Sequence, residues 1–443
     1  MSEESREERP VVELKIDKLV AGGKGLGRYQ NKVYFVKYAA PSEIVRVEVI
    51  KEKRDYAEGR LLEVLIPSSA RVEPLCPYFG VCGGCQLQHI AYEEQVRQKV
   101  EIFKEQLQRV GKIRELPPVE AVPSPQPYGY RVRAQFHVEA GRLGFVEDET
   151  LRELKGRGEI VDIDTCPILH PRINELIPHL KRVSAEYGSL REVHVTYSPN
   201  RDEALIKLIS EEPLSEGDLR RIKEELLPPF VVGVGDYKRV LRELVRRNFY
   251  GRDYTFISAK GFTYRVSAES FVQNNYLLWD RFIELVVPGE RRGYCLDTFC
   301  GIGFFTIPFS EKAFFVEGSD MNNFAIADAN YNARLNDRPN VAFLRATPSE
   351  HMKRHLDKEV DTVIFDPPRS GLDKRDLKVL RELLPDRIVY VSCNPSTLAR
   401  DLGQILRWGV YRYKKAVVID LFPQTAHIES VNYLEKIPAE GGL

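Results

Sequence analysis

The sequence predicts a multidomain α/β protein: a small β-barrel, an α+β middle carrying clustered cysteines, and a C-terminal domain built on a parallel sheet. Three observations carry this reading. The 443 residues correspond to about three domains at roughly 150 residues each. Cys76, Cys82 and Cys85 crowd into one short segment while the other four cysteines are scattered. Near Ile257 the chain changes rhythm to alternating strands and helices, the pattern of a parallel sheet.

The barrel is read from residues 1–69. After a charged tail, short β-branched and aromatic runs are broken by Gly-rich and Ala-Pro turns. Val11 to Arg60 holds 11 Lys/Arg against 7 Asp/Glu. A small basic barrel with aromatics such as Tyr29, Tyr34 and Phe35 suits single-stranded nucleic acid, with phosphates on cations and bases on rings. Any small β-domain with a solvated face would read equally well.

Residues 70–256 form the middle. CPYFGVCGGCQLQHI holds the cysteines, and EEQVRQKVEIFKEQLQRVG then has helical spacing with Gly111 where a C-cap belongs. The helix over 91–111 has the option of packing on the catalytic domain. The proline-rich LPPVEAVPSPQPYGYR reads as an extended connector without regular structure. Between Tyr237 and Asp253, six Lys/Arg face two acids in a stretch that looks partly helical. Runs of this kind are usually solvated faces.

Residues 257–443 contain GYCLDTFCGIG, KAFFVEGSD, VDTVIFDPPRSG and DRIVYVSCNPS, each an apolar strand ending in small or polar residues. Ligands in such sheets bind beyond the carboxyl ends of the strands, so these tips should meet at one pocket.

Composition narrows the function. With 43% hydrophobic and 29% charged residues, the chain can build cores and is not a disordered one. No run approaches the ~18 apolar residues of a membrane span, and MSEESREERP has no apolar signal core. The expectation is a cytoplasmic protein without membrane contact. Lys+Arg and Asp+Glu are both 65. That balance excludes a uniformly basic surface while leaving room for local basic faces. Seven cysteines in a reducing compartment suggest metal binding plus separate thiol roles.

Individual motifs sharpen this. Asp297 to Gly303 gives a G-x-G turn that lacks the third glycine of a dinucleotide fingerprint. Glu317, read as ending the next strand, can accept both hydroxyls of a ribose. With Asp366-Pro367-Pro368 at another strand tip, the set fits an S-adenosylmethionine-dependent methyltransferase better than a dehydrogenase. Cys393 stands at a strand tip where Asn394-Pro395 turns the chain, which makes its thiol a candidate nucleophile. Cys295 and Cys300 read as core thiols. Glu429 lies in an apolar segment that favours a raised pKa and proton transfer. Cys76, Cys82, Cys85 and the distant Cys166 can together hold tetrahedral Zn²⁺ or a [4Fe–4S] cluster, and spacing leaves both open.

Together these residues resemble the RNA uracil-C5 methyltransferase family of the RumA/TrmA type. The resemblance implies a TRAM domain, an OB-like RNA-binding barrel, at the N-terminus and a Rossmann-like S-adenosylmethionine-dependent domain at the C-terminus. It implies [4Fe–4S] over zinc for the four cysteines. SFVQNN implies a cofactor contact by Gln273, with Phe299, Glu317 and Asp366 lining the same site. SCNP and HIES imply Cys393 as nucleophile and Glu429 as general base. The expected reaction is 5-methyluridine formation in 23S rRNA, with a tRNA T-loop uridine as the alternative target. From another class, a non-catalytic RNA-binding or chaperone protein is the competing reading. The expected acting unit is a monomer.

Overall fold

The computed structural model describes residues 9–155, 158–227, 229–241, 243–287, 289–290 and 292–438. Five strands, Val11–Leu19, Gly25–Tyr29, Lys32–Val36, Ile44–Glu52 and Tyr56–Ile66, close into a barrel. Along the first strand Leu14 and Ile16 point inward between exposed polar neighbours, the alternation a closed barrel requires. Val45, Val47 and Ala57 complete its apolar filling.

The middle of the chain forms a second, seven-stranded sheet that packs against the helix Pro171–Glu186. The basic stretch from Tyr237 onward belongs to this sheet. It is an antiparallel pair, Val231–Val240 against Glu243–Gly251, rather than a helix. Its arginines are also largely spoken for. Arg246 binds Glu269 and Asp253, Arg247 binds Asp236, Arg239 binds Glu192 and Arg252 binds Glu203. These pairs knit the sheet together, which removes most of the stretch as a free cationic face. Arg242 lies outside the described residues.

The C-terminal sheet has eight strands. We label them β1 (Val119–Val122), β2 (Arg292–Asp297), β3 (Ala313–Asp320), β4 (Val341–Arg345), β5 (Thr362–Phe365), β6 (Arg387–Ser392), β7 (Tyr411–Ile419) and β8 (Glu429–Lys436). Their order is β4-β3-β2-β5-β6-β8-β7-β1. The run from β4 to β6 is parallel, and β8 is antiparallel to both neighbours. The chain winds outward from β2 through β3 to β4, then restarts on the other side of β2 with β5. That reversal opens a crevice at the carboxyl ends of β2 and β5, the topological position where such sheets bind ligands. Strand β1 comes from the proline-rich connector, which the sequence reads as irregular; it pairs in parallel with β7 at the sheet edge, where prolines flanking a strand are tolerated.

Helix α1 (Tyr92–Arg109) buries Ile102, Phe103 and Leu107 against α2 (Pro395–Leu406), which follows β6. A Cβ on Gly403 of α2 would sit 2.3 Å from the carbonyl oxygen of Gly111, so a residue without a side chain is needed for this approach. Tyr130, fully buried, donates its hydroxyl to the Pro423 carbonyl at 2.9 Å. The barrel is tied in by Lys18 to Glu105 at 2.6 Å and by Lys37 to Asp148 at 2.9 Å.

Candidate active site and cysteine cradle

At the end of β2, Thr298 N–H donates to the Ile364 carbonyl. The turn then passes through Gly301 and Gly303, both at positive φ (53° and 82°), a conformation that favours glycine. Asp297 is buried and accepts from Thr306 Oγ1 at 2.7 Å. Phe299 is half-buried against the apolar layer on that face. Asp366 closes β5, and Gln273 Nε2 donates to its Oδ2 at 3.4 Å. Gln273 is held in turn by its own carbonyl, which accepts from Trp279 Nε1 at 2.9 Å. Gln273 and Asp366 therefore meet at the crevice, and Phe299 lies in the turn after β2.

Glu317 does not end its strand, as the sequence suggested. Strand β3 runs three residues beyond Glu317, to Asp320. Side chains alternate across a strand, so Glu317 and Asp320 face opposite sides. Glu317 turns onto Tyr294, His351 and His355. Asp320 stands at the tip, accepting from Gly301 N–H at 3.1 Å and Asn322 N–H at 2.8 Å. The missed signal was the small pair Gly318-Ser319 running on to an acid just before Asn322, the N-cap of the next helix. Asp297, Asp320 and Asp366 now ring the crevice. Burial and the other two carboxylates push Asp366 up to about 7, and burial pushes Asp297 up to about 7 as well. A cation entering this ring would be held by the ionised forms.

Beyond β6, Asn394 caps α2 by accepting from Ser396 N–H at 3.1 Å, with Pro395 in the first turn. This sharp strand-to-helix turn leaves Cys393 partly exposed. Ser392 pairs with Ser430 across β6 and β8. The next positions outward, Cys393 and Glu429, thus face each other at the strand ends, within cross-strand reach. Glu429 is buried, and its Oε1 has no hydrogen-bond partner. Burial and the nearby Asp366 hold its carboxyl well above the usual range. Burial, Glu429 and Asp366 push the Cys393 thiol up to about 11, while Arg369 pulls it back.

Cys393 opens on a cleft of about 750 Å³ shared with Lys24 and Lys37 of the barrel, Arg131, Arg369, His427 and Ile428. Arg369 lies 3.1 Å from His427. The cleft thus meets the barrel, the middle sheet and the catalytic strand tips.

Next to it, Cys76, Cys82, Cys85 and Cys166 line one cavity of about 180 Å³ together with Tyr78, Phe79, Gln88 and Arg131. Four thiols around one small void fit a thiolate-held metal group. Burial and the neighbouring cysteines push Cys85 and Cys166 up to about 12; a bound metal would hold such thiols deprotonated. A single zinc would bring its four sulfurs to about 3.8 Å from one another, given Zn–S bonds of about 2.3 Å. The cysteine loop is also bonded to the segment leading to Glu429. Gln86 and Leu87 N–H both donate to the Gln424 carbonyl, and Ala426 N–H donates to Gln86 Oε1 at 3.1 Å.

A topological-switch crevice ringed by carboxylates, a thiol beside it and a barrel along the same cleft define an S-adenosylmethionine-dependent RNA methyltransferase. The chain belongs to the tRNA (uracil-5-)-methyltransferase family, whose model matches residues 91–437, and a TRAM domain matches residues 5–62. It is 47% identical to an uncharacterized RNA methyltransferase of Aquifex aeolicus, over 96% of this chain and 98% of that one. It is 34% identical to another from Halalkalibacterium halodurans, over 96% and 97%. The crystal structure of the Pyrococcus abyssi tRNA (uracil-54, C5)-methyltransferase with S-adenosyl-L-homocysteine superposes with a TM-score of 0.73 at 27% identity, covering 96% of this chain and all of that one. The protein is an S-adenosylmethionine-dependent RNA uracil-C5 methyltransferase that binds RNA through its TRAM barrel. No helix among the described residues is long and apolar enough to cross a membrane.

Proposed function

We propose that the substrate is a uridine in the T-loop of tRNA, methylated at C5 with Cys393 as nucleophile and Glu429 as proton acceptor. The observation that carries the chemistry is the opposition of Cys393 and Glu429 at the ends of β6 and β8. The choice of tRNA is supported by the likeness to the Pyrococcus abyssi enzyme along the whole chain, and it replaces the expectation of 23S rRNA.

Uracil C5 is a weak nucleophile. Cys393 loses its thiol proton to solvent, Arg369 favouring the thiolate; the thiolate adds to C6, and the C5–C6 π pair moves toward the C4 carbonyl as an enolate. C5 then takes the sulfonium methyl, leaving neutral S-adenosylhomocysteine. Glu429 removes the C5 proton, the C–H pair re-forms C5=C6, and the thiolate departs. Gln273, Phe299, Asp366 and Asp320 hold the cofactor, with Asp320 taking the ribose role first read for Glu317. The target base must be unstacked to enter the cleft, and Lys24, Lys37 and Arg131 flank the path of the RNA.

Cys76, Cys82, Cys85 and Cys166 line one cavity and would hold a [4Fe–4S] cluster, preferred over zinc because the family resemblance implies it. When bound it supplies a rigid cross-link and no step of the methyl transfer. Through Gln86, Leu87 and Gln424 it steadies the segment carrying His427 and Glu429. Residues 1–69, 70–256 and 257–443 divide the work as RNA platform, cluster domain and catalytic domain. The middle segment lends α1 and β1 to the last of these. A single chain in the cytoplasm is the proposed acting unit.

The test is mass-spectrometric mapping of unmodified tRNA and 23S rRNA transcripts after incubation with the enzyme and cofactor. 5-Methyluridine in the T-loop is expected. Labelling confined to rRNA would overturn the substrate assignment.

A further inference from the structure

One buried cluster takes no part in the methyl transfer. Glu317 on β3 faces His351 and His355, which lie four residues apart on and just beyond the helix Pro348–Lys353 that follows β4. Glu317 Oε1 is 3.7 Å from His351 Nε2, and Oε2 is 3.3 Å from His355 Nε2. Both imidazoles are almost fully buried, at 0% and 2% exposure. Neither ring nitrogen of His351 has a hydrogen-bond partner, and Nε2 of His355 faces Glu317 Oε2. Burying polar nitrogens without partners is unfavourable, and native cores rarely do so without a bound group.

We propose that Glu317, His351 and His355 form a site for a divalent transition-metal ion of the zinc class, three residues inward of the cofactor crevice along β3. Two imidazoles and one carboxylate are a donor set that zinc-class ions take in preference to magnesium or calcium. The three ligand atoms lie within 4.8 Å of one another, so a small inward shift brings them to coordination distance. Tyr294 Oη–H donates to Glu317 Oε2 at 3.0 Å, orienting the carboxylate from behind as outer partners of metal ligands do. Lys358 Nζ lies 3.3 Å from His355 Nδ1 and over the Tyr294 ring, so a metal taken by Nε2, which puts the imidazole proton on Nδ1, would displace it from that nitrogen. The ion would pin the helix after β4 to β3, framing one side of the crevice. This inference is independent of the substrate and nucleophile assignments.

The experiment compares zinc content per chain for the anaerobically purified protein and its Glu317→Gln and His351→Gln variants, each chelator-treated and re-exposed to Zn²⁺. The cysteines also take zinc, so the expected result is a difference of about one zinc per chain, with a zinc-induced rise in melting temperature in the parent only. Equal zinc and equal thermal response would overturn the site. Circular dichroism checks that the variants fold. Should they not, the cobalt adduct of the parent protein decides. Bands of nitrogen- and oxygen-ligated Co²⁺ support the site, and a spectrum containing only thiolate-to-cobalt charge transfer refutes it.

Discussion

Lys99 of α1 and Asp420, just past β7, form an ion pair at 2.7 Å with both side chains 2% exposed. Lys99 also donates to the Phe422 carbonyl at 2.9 Å, so one ammonium fixes the strap that runs from β7 to Glu429. Phe422 N–H also donates to Asp420 Oδ1 at 3.3 Å, while Lys99 supplies the carboxylate's counter-charge. Replacing Lys99 by Met leaves a buried charge uncompensated, at about 3–5 kcal/mol. The expected outcome for Lys99→Met is a clearly lowered melting temperature and slower catalysis. Lys99→Met combined with Asp420→Leu should recover much of the stability, because the stranded charge is removed as well. A double variant as unstable as the single one would refute the pair's role.

The opposition of Cys393 and Glu429 predicts separable effects on the two halves of the reaction. Cys393→Ala should form no covalent complex with RNA, because Cys393 supplies the thiol that lines the cleft. Glu429→Gln should still add and methylate, then stall before elimination, with turnover about 10²–10⁴-fold slower. Denaturing gels with labelled RNA would show an adduct that persists in Glu429→Gln alone. A Glu429→Gln enzyme with normal turnover would remove Glu429 from the mechanism.

Much of this site was legible because each motif is local. An apolar strand followed by Cys-Asn-Pro or Asp-Pro-Pro announces a tip whatever lies around it. Which tips face each other depends on strand order and register, and these are settled by pairings between residues far apart in sequence. Cys393 and Glu429 are 36 positions apart, and only the antiparallel turn of β8 sets them opposite. Glu317 shows the cost of a strand end misread by three residues: the acid at the tip is Asp320, on the other face. The arginines near Arg246 read as a basic patch because their partners Glu269, Asp236 and Glu203 are distant in the chain or on other strands. Strand β1 was hidden because its prolines argue against a central strand while remaining compatible with an edge.

The carboxylate ring predicts how cofactor binding responds to pH. Asp366 is raised to about 7 by burial and by Asp297 and Asp320, so a large share is neutral near pH 7 without cofactor. A sulfonium ion favours the ionised form, and binding should release protons. Affinity for S-adenosylmethionine should therefore rise as pH increases through about 7. It should rise less for uncharged S-adenosylhomocysteine. For the free protein the sign is opposite. A carboxyl with a raised folded pKa binds more protons folded than unfolded, so stability declines between about pH 4 and 7. Calorimetric titrations at several pH values should show the slope flattened in Asp366→Asn. A pH-independent dissociation constant in the parent would exclude the ring as the sulfonium's counter-charge.

The bonds from Gln86 and Leu87 to Gln424, and from Ala426 to Gln86, predict how the cysteine cradle acts on catalysis. Gln95 adds a reciprocal pair: its Nε2 donates to Gln424 Oε1 at 2.9 Å, and Gln424 N–H donates to its Oε1 at 3.0 Å. Loosening the loop around Cys82 and Cys85 should therefore free the strap that ends at Glu429, while the cofactor crevice between β2 and β5 is untouched. Cys85→Ser should lower kcat by about tenfold or more, in line with the sensitivity of catalysis to small displacements. Its dissociation constant for S-adenosylmethionine should stay the same. Hydrogen exchange should quicken together in residues 82–90 and 420–428. Faster exchange in the first segment alone would mean that the cradle does not position Glu429. Weakened cofactor binding would place its influence at the crevice instead.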